Sequence, residues 1–156
     1  MTGLSDKARQ YAFKLLSYRG RSEKELGERL RKKGFTEPVV SSTINYLKRA
    51  GLIDDRALAE VLKRKALTTK LLGQNGVRRF LLDKGIPRDI VDLELSHNEN
   101  EDIENARVLV RKKFKNLKDC SSETAKRRLY NILFRRGYSF DTINKILKDK
   151  NIMEED

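Results

Sequence analysis

The sequence predicts an all-α protein built as three tandem three-helix modules, about nine helices in an elongated, curved array. Three observations lead there. Apolar residues recur at the helical period, no stretch alternates apolar and polar residues as a strand does, and one glycine-ended segment occurs three times at a nearly constant spacing.

The repeated segment is Leu26-Gly27-Glu28-Arg29-Leu30-Arg31-Lys32-Lys33-Gly34-Phe35, matched by Val77 to Ile86 and by Leu129 to Tyr138. Each copy carries an aliphatic residue eight before the glycine, a leucine four before it, a basic residue just before it and a large apolar residue just after. Gly34 and Gly85 are 51 positions apart, Gly85 and Gly137 are 52 apart, so modules of about fifty residues are expected at 1–51, 52–98 and 99–156. The two aliphatic positions share a helix face. The glycine stands where a helix ends in a left-handed residue, a conformation that penalises any Cβ. Phe35, Ile86 or Tyr138 can then fold back onto the last turn.

The helices follow in order. Ala8, Tyr11, Ala12, Leu15 and Leu16 form the amphipathic stripe of a first helix. Ser22 and Glu25 read as a capping box opening a second over about 22–33. Thr36, two after the glycine, suits the entry to a third with Val40, Ile44 and Leu47 inside. In the second module Leu58, Val61 and Leu62 supply the first stripe, running from about Asp55 to Ala66. Pro87 opens the last helix, with Val91 and Leu95 inward. In the third, Ile103, Ala106, Val110, Phe114 and Leu117 repeat the pattern, and Ser139 precedes a helix burying Ile143 and Leu147.

Composition narrows the partner. The chain is 38% hydrophobic and 37% charged, well above the roughly 25% charge of ordinary soluble domains. Lys and Arg number 35 against 23 acids, a net charge of +12, which favours a polyanion. The single Cys120 cannot form an internal disulfide, no segment is apolar enough to span a membrane, and Met1 to Gln10 is too polar for a signal peptide. A cytoplasmic, monomeric protein with no membrane association is expected.

Candidate contact residues are the basic clusters that helical spacing sets away from the core leucines. They are Arg21, Lys24, Arg31, Lys32 and Lys33 in the first module, and Lys63, Arg64, Lys65, Lys70, Arg78 and Arg79 in the second. The third is densest, with Arg107, Arg111, Lys112, Lys113 and Lys115 on one helix and Lys126, Arg127, Arg128, Arg135 and Arg136 on the next. Cations before each glycine also complement the helix dipole, so part of their reason is local. Tyr11, Phe35, Phe114 and Tyr138 fall on core positions, leaving Tyr18, beside Arg19 and Arg21, as the candidate for stacking on a base. Asp54 reads as a helix cap rather than half of a carboxylate pair with Asp55. His97 has no cysteine or second histidine nearby. No catalytic, cofactor or metal site can be assembled, so an enzyme is not expected.

At Ser22-Glu23-Lys24-Glu25-Leu26, Leu30 to Phe35, Gly51-Leu52-Ile53-Asp54-Asp55, and Gly73 followed by Leu81 to Ile86, the chain resembles the RecX family of regulatory proteins, in family order and over nearly its whole length. The sequence departs from the family pattern at Leu58, commonly aromatic, and at Thr68-Thr69-Lys70, usually richer in arginine. The resemblance implies a module array lying along the RecA recombinase filament on single- or double-stranded DNA. It further implies a negative regulator of RecA ATP hydrolysis, filament extension and strand exchange, in homologous recombination, DNA repair and the SOS response. Three alternatives stay open. A generic basic helical-repeat DNA binder would need no RecA, a sequence-reading helix-turn-helix transcription factor would need one recognition helix that differs in kind from its neighbours where the three copies look alike, and a protein-binding scaffold would show no salt-sensitive DNA affinity.

Overall fold

A computed structural model describes residues 2–95 and 99–149. Among these are nine α-helices and no strand: α1 (Thr2–Tyr18), α2 (Glu23–Lys33), α3 (Glu37–Arg49), α4 (Asp55–Thr68), α5 (Gln74–Asp83), α6 (Arg88–Glu94), α7 (Glu99–Phe114), α8 (Ser122–Arg135) and α9 (Phe140–Lys148). A short 3₁₀ turn, Lys115–Leu117, follows α7. The fold is all-α, and the helices form three consecutive triplets.

The middle helix of each triplet ends as its sequence requires. Gly34, Gly85 and Gly137 adopt φ of +109°, +87° and +90°. The next residue then turns its amide back onto the last turn: Phe35 N–H donates to the Leu30 carbonyl at 3.2 Å, Ile86 N–H to Leu81 at 3.1 Å and Tyr138 N–H to Leu133 at 3.2 Å. Thus the leucine four before each glycine has two roles. Its side chain is buried, and its carbonyl closes the cap.

The helix starts depart from expectation in detail. Ser22 Oγ accepts the Glu25 N–H at 3.1 Å, but the Glu25 carboxylate is held by Arg19 and Arg21, so only half of the capping box forms. Thr36 has the extended backbone of a cap without a side-chain hydrogen bond, whereas Ser139 Oγ accepts the Thr142 N–H at 3.2 Å. Asp54 caps α4, accepting the amides of Arg56 and Ala57 at 3.1 and 3.2 Å.

By contacts the chain divides into two compact units: residues 1–62 with 81–94, and residues 63–80 with those from 95 onward. In the first, Ala8, Ala12, Leu15, Leu26, Leu30, Val40, Ile44, Leu47 and Ile53 form the core, with Tyr11, Leu16 and Phe35 packed against it. In the second, Leu71, Ala106, Leu109, Val110, Leu117, Ala125, Leu129, Leu133, Tyr138, Ile143 and Ile146 do so, flanked by Ile103, Phe114 and Leu147. One expected core residue is not inside. Val61 is 62% exposed, because α4 buries Ala59 and Ala66 and residue 61 lies about 200° around the helix from Ala59.

Within each unit one triplet is tied to the next by the same device. In the first unit the Glu23 N–H at the start of α2 donates to Asp55 Oδ1, on the first residue of α4, at 3.0 Å. In the second the Gln74 N–H at the start of α5 donates to Asp102 Oδ2, on α7, at 3.2 Å. The glycine turns seat against the same helix starts. A methyl group placed on Gly85 would lie 2.5 Å from Ser22 Oγ, and one on Gly137 would lie 1.9 Å from the Gly76 nitrogen.

Leu30→Ala, Leu81→Ala and Leu133→Ala should each destabilise the protein by about 2–5 kcal/mol in chemical denaturation. Gly34→Ala, strained in φ but with open space around it, should cost about 1–2 kcal/mol. Gly137→Ala, which meets backbone, should cost more than Gly34→Ala. Equal losses at the two glycines would show that the seat is unimportant.

Candidate nucleic-acid interface

The candidate cations are spread over α2, α4, α5, α7 and α8 and the turns that follow them. In the first unit Lys24, Arg31, Lys32 and Lys33 are exposed on α2, the last three in its final turn. Arg31 pairs with Glu37, and the Lys33 ammonium lies 5.3 Å from the Tyr11 ring centre. A cation at that helix end gains about 0.3–1 kcal/mol from the dipole alone.

Arg21 is placed otherwise. It is 7% exposed, its Nε donates to the Leu15 carbonyl at 3.1 Å and its Nη1 to Glu25 Oε1 at 2.9 Å. Its guanidinium ties the end of α1 to the first turn of α2. Burial pushes the Glu25 carboxyl up, yet the hydrogen bonds and charges of Arg19 and Arg21 together outweigh it and hold the group below its ordinary range.

The second unit holds the larger share of the candidates. Arg64, Lys65, Lys70, Arg78 and Arg79 are exposed, and Lys63 is half-buried. On α7, Arg111 and Lys112 face solvent and Lys115 follows them in the 3₁₀ turn. Lys113 is half-buried because it comes seven residues, two turns, after the buried Ala106. Arg107 is also half-buried, beside Glu104 at 3.8 Å and Asp149 at 3.6 Å. On α8, Lys126, Arg127, Arg128 and Arg135 are exposed.

Arg136, half-buried beyond the end of α8, has a structural task. Its side chain donates to the Lys70 carbonyl and its own carbonyl accepts the Gly73 N–H at 2.9 Å. Beside it, the Tyr138 hydroxyl donates to the Leu71 carbonyl at 2.7 Å, and burial, reinforced by the Asp102 charge, pushes that phenol well above its ordinary range. The loop before α5 is thereby fixed from two sides.

Tyr18, the foreseen stacking candidate, ends α1 at 72% exposure. A second aromatic group was not foreseen. Tyr130, Phe134 and Phe140 form one cluster with ring centres 5.8–6.4 Å apart, and Phe134 and Phe140 are 53% and 59% exposed. Its signal was in the sequence: Phe134 directly follows the core Leu133, a step of about 100° that carries it off the core face.

No group of three or more His, Cys, Asp or Glu among the described residues could hold a metal ion, and His97 lies outside those residues. No helix among them is long and apolar enough to cross a membrane.

Arg21→Ala should lower stability by about 1–3 kcal/mol, since it leaves a buried carbonyl without its donor. Lys32→Ala, on the exposed end of α2, should stay within about 0.5 kcal/mol of the parent protein. Thermal and chemical denaturation of the two variants separates a structural cation from a surface one.

Comparison with known proteins gives one answer throughout. A family model described as RecX, first three-helix domain, matches residues 8–47, and one described as RecX, third three-helix domain, matches residues 99–147. The Regulatory protein RecX of Clostridium botulinum (strain Alaska E43 / Type E3) is 35% identical over 92% of this chain and 68% of its own length. That of Amycolatopsis mediterranei (strain U-32) is 33% identical over 92% of this chain and 83% of its own. The crystal structure of RecX from Lactobacillus salivarius superposes with a TM-score of 0.83 at 25% identity, covering 97% of this chain and 99% of the other. The chain belongs to the RecX family, a family of regulatory proteins and not of enzymes.

Proposed function

We propose that the protein binds the RecA recombinase filament together with its DNA and negatively modulates RecA ATP hydrolysis, filament extension and strand exchange. The observation that carries this reading is the coupling of family membership to a net charge of +12, with exposed cations on α2, α4, α5, α7 and α8. Such a surface follows a phosphate backbone by releasing counterions and needs no base contact to do so. On this reading the three modules, 1–51, 52–98 and 99–156, are the units that engage the filament, and the protein acts as a cytoplasmic monomer. A generic basic DNA binder is the second reading, favoured by the same charge.

The test is single-stranded DNA-stimulated ATP hydrolysis by the cognate RecA, measured with and without the protein. Inhibition is expected well below one protein per RecA monomer, because blocking a filament end affects many subunits. It should persist at salt that abolishes binding to naked DNA, since contacts with RecA add to the phosphate contribution. Inhibition that vanishes in step with naked-DNA binding, and is reversed by excess DNA, would leave only competition for the lattice.

Replacing Arg111, Lys112 and Lys113 together by alanine should flatten the dependence of log affinity on log salt. The slope should fall by about 1.5 units, the share of two phosphate contacts at roughly 0.7–0.9 each, rather than the roughly 2.5 of three, because Lys113 is half-buried. An unchanged slope would show that this cluster is solvated in the complex too.

A further inference from the structure

Phe134 and Phe140 stand more than half exposed although the core beneath them is complete without them. With Tyr130 they make one continuous aromatic surface across α8 and α9. The Tyr130 and Phe134 rings are 6° from parallel, and Phe140 is tilted 34° to both.

The internal repeat shows that packing does not demand the Phe134 and Phe140 rings, whereas Tyr130 is half-buried against that core. Seven before the glycine stand Gly27, Arg78 and Tyr130; three before it stand Arg31, Leu82 and Phe134; three after it stand Glu37, Arg88 and Phe140. The last three are each the first residue of their helix. Where the shared fold accepts glycine, arginine, leucine or glutamate, the third copy alone is aromatic at all three positions.

The charge around the rings narrows the occupant. Arg127, Tyr130 and Phe134 lie at i, i+3 and i+7 on α8, and Lys126 stands four before Tyr130, so both exposed cations share the aromatic row. On α9, Phe140, Asn144 and Lys148 lie at i, i+4 and i+8, with Asn144 and Lys148 exposed. Glu123 and Asp141 are the acids beside these rows; the three cations outnumber them. Flat rings flanked by cations match a single strand, whose unpaired bases expose π-faces while its phosphates stay charged. A duplex keeps those faces stacked inside.

We infer that Tyr130, Phe134 and Phe140 form a stacking platform for unpaired bases of single-stranded nucleic acid, with Lys126, Arg127 and Lys148 holding the flanking phosphates. The inference rests on the DNA-binding part of the proposed function. It adds a preference for single strands located in the third triplet.

Fluorescence anisotropy with three probes of equal length tests it: a single-stranded oligothymidylate, the same strand with abasic sites, and a duplex. The unaltered protein should bind the oligothymidylate more tightly than the abasic strand. F134A/F140A should lose about tenfold or more for oligothymidylate, as expected for lost base stacking. The same variant should bind the abasic strand and duplex as before. F134L/F140L, which keeps apolar bulk without a ring face, should lose nearly as much. Unchanged melting of both variants certifies the fold. If the leucine variant binds like the parent, or all three probes weaken equally, the rings are an apolar contact of another kind and the platform is refuted. Binding by the parent protein without discrimination against abasic sites refutes the platform alone. No binding to any probe refutes the DNA part of the proposed function as well.

Discussion

The structure hangs on the left-handed glycine that ends a middle helix and on what that turn is pressed against. At Gly85 the neighbour is the Ser22 hydroxyl, and at Gly137 it is the Gly76 backbone, in both cases the start of the preceding triplet's middle helix. Two hydrogen bonds, Gly73 N–H to the Arg136 carbonyl and Asn75 N–H to the Gly137 carbonyl, complete the second seat. Any side chain at Gly137 would meet backbone rather than a movable group. The carboxylates of Asp55 and Asp102 work beside these seats, each accepting an amide at the start of that same helix. Burial pushes the Asp55 carboxyl above its ordinary range, with the Glu23 charge adding to it and the accepted amide opposing it. Helix ends that would otherwise leave donors unpaired are thereby satisfied by the next triplet. A repeat of this kind is therefore a chain of mutual dependencies and not a string of free-standing bundles.

What could be read from the sequence follows the range of the forces involved. The fold class was legible, as were the glycine turns and the inward positions of Leu30, Leu81 and Leu133, because helical periodicity and caps are local. The Asp54 cap was legible for the same reason. The Asp102 contact to Gln74 was not, since its partner is 28 residues away. Val61 misled because an apolar residue satisfies a period of three or four from several starting points, and only the packed structure selects Ala59 and Ala66. Glu25 was drawn from its capping role by Arg21, whose own position depends on where α1 ends.

The same distinction sorts the cations. Sequence spacing identifies where arginine and lysine cluster, but it cannot say which are already committed. Arg21 and Arg136 hold carbonyls in place, Arg31 pairs with Glu37, and Lys113 is carried toward the core by its register. Arg64, Lys65, Lys126 and Arg127 remain on the surface with their charge presented to solvent. Exposed charge is screened over about 8 Å at physiological ionic strength, so the useful unit for a polyanion is a group of neighbouring cations. Lys126 and Arg127, four and three residues before Tyr130 on α8, come nearest to that requirement, whereas Arg128 donates to Cys120 Sγ at 3.5 Å.

Internal repeats also act as a built-in control for function. Three copies that solve the same packing problem must agree where packing decides, as Leu30, Leu81 and Leu133 do, each fully buried. Positions where packing is indifferent are released to differ. Arg31, Leu82 and Phe134 occupy one such position, a single step past the buried leucine, and no shared structural demand selects among a cation, an aliphatic and an aromatic side chain there. Exposing a phenylalanine ring to water is unfavourable on hydrophobic grounds. When the third copy alone does so twice, at Phe134 and Phe140, and sets the rings beside one another and Tyr130, stability of the free protein is not the reason for the choice. Stacking on unpaired bases, as proposed, would give those rings a state in which they are covered.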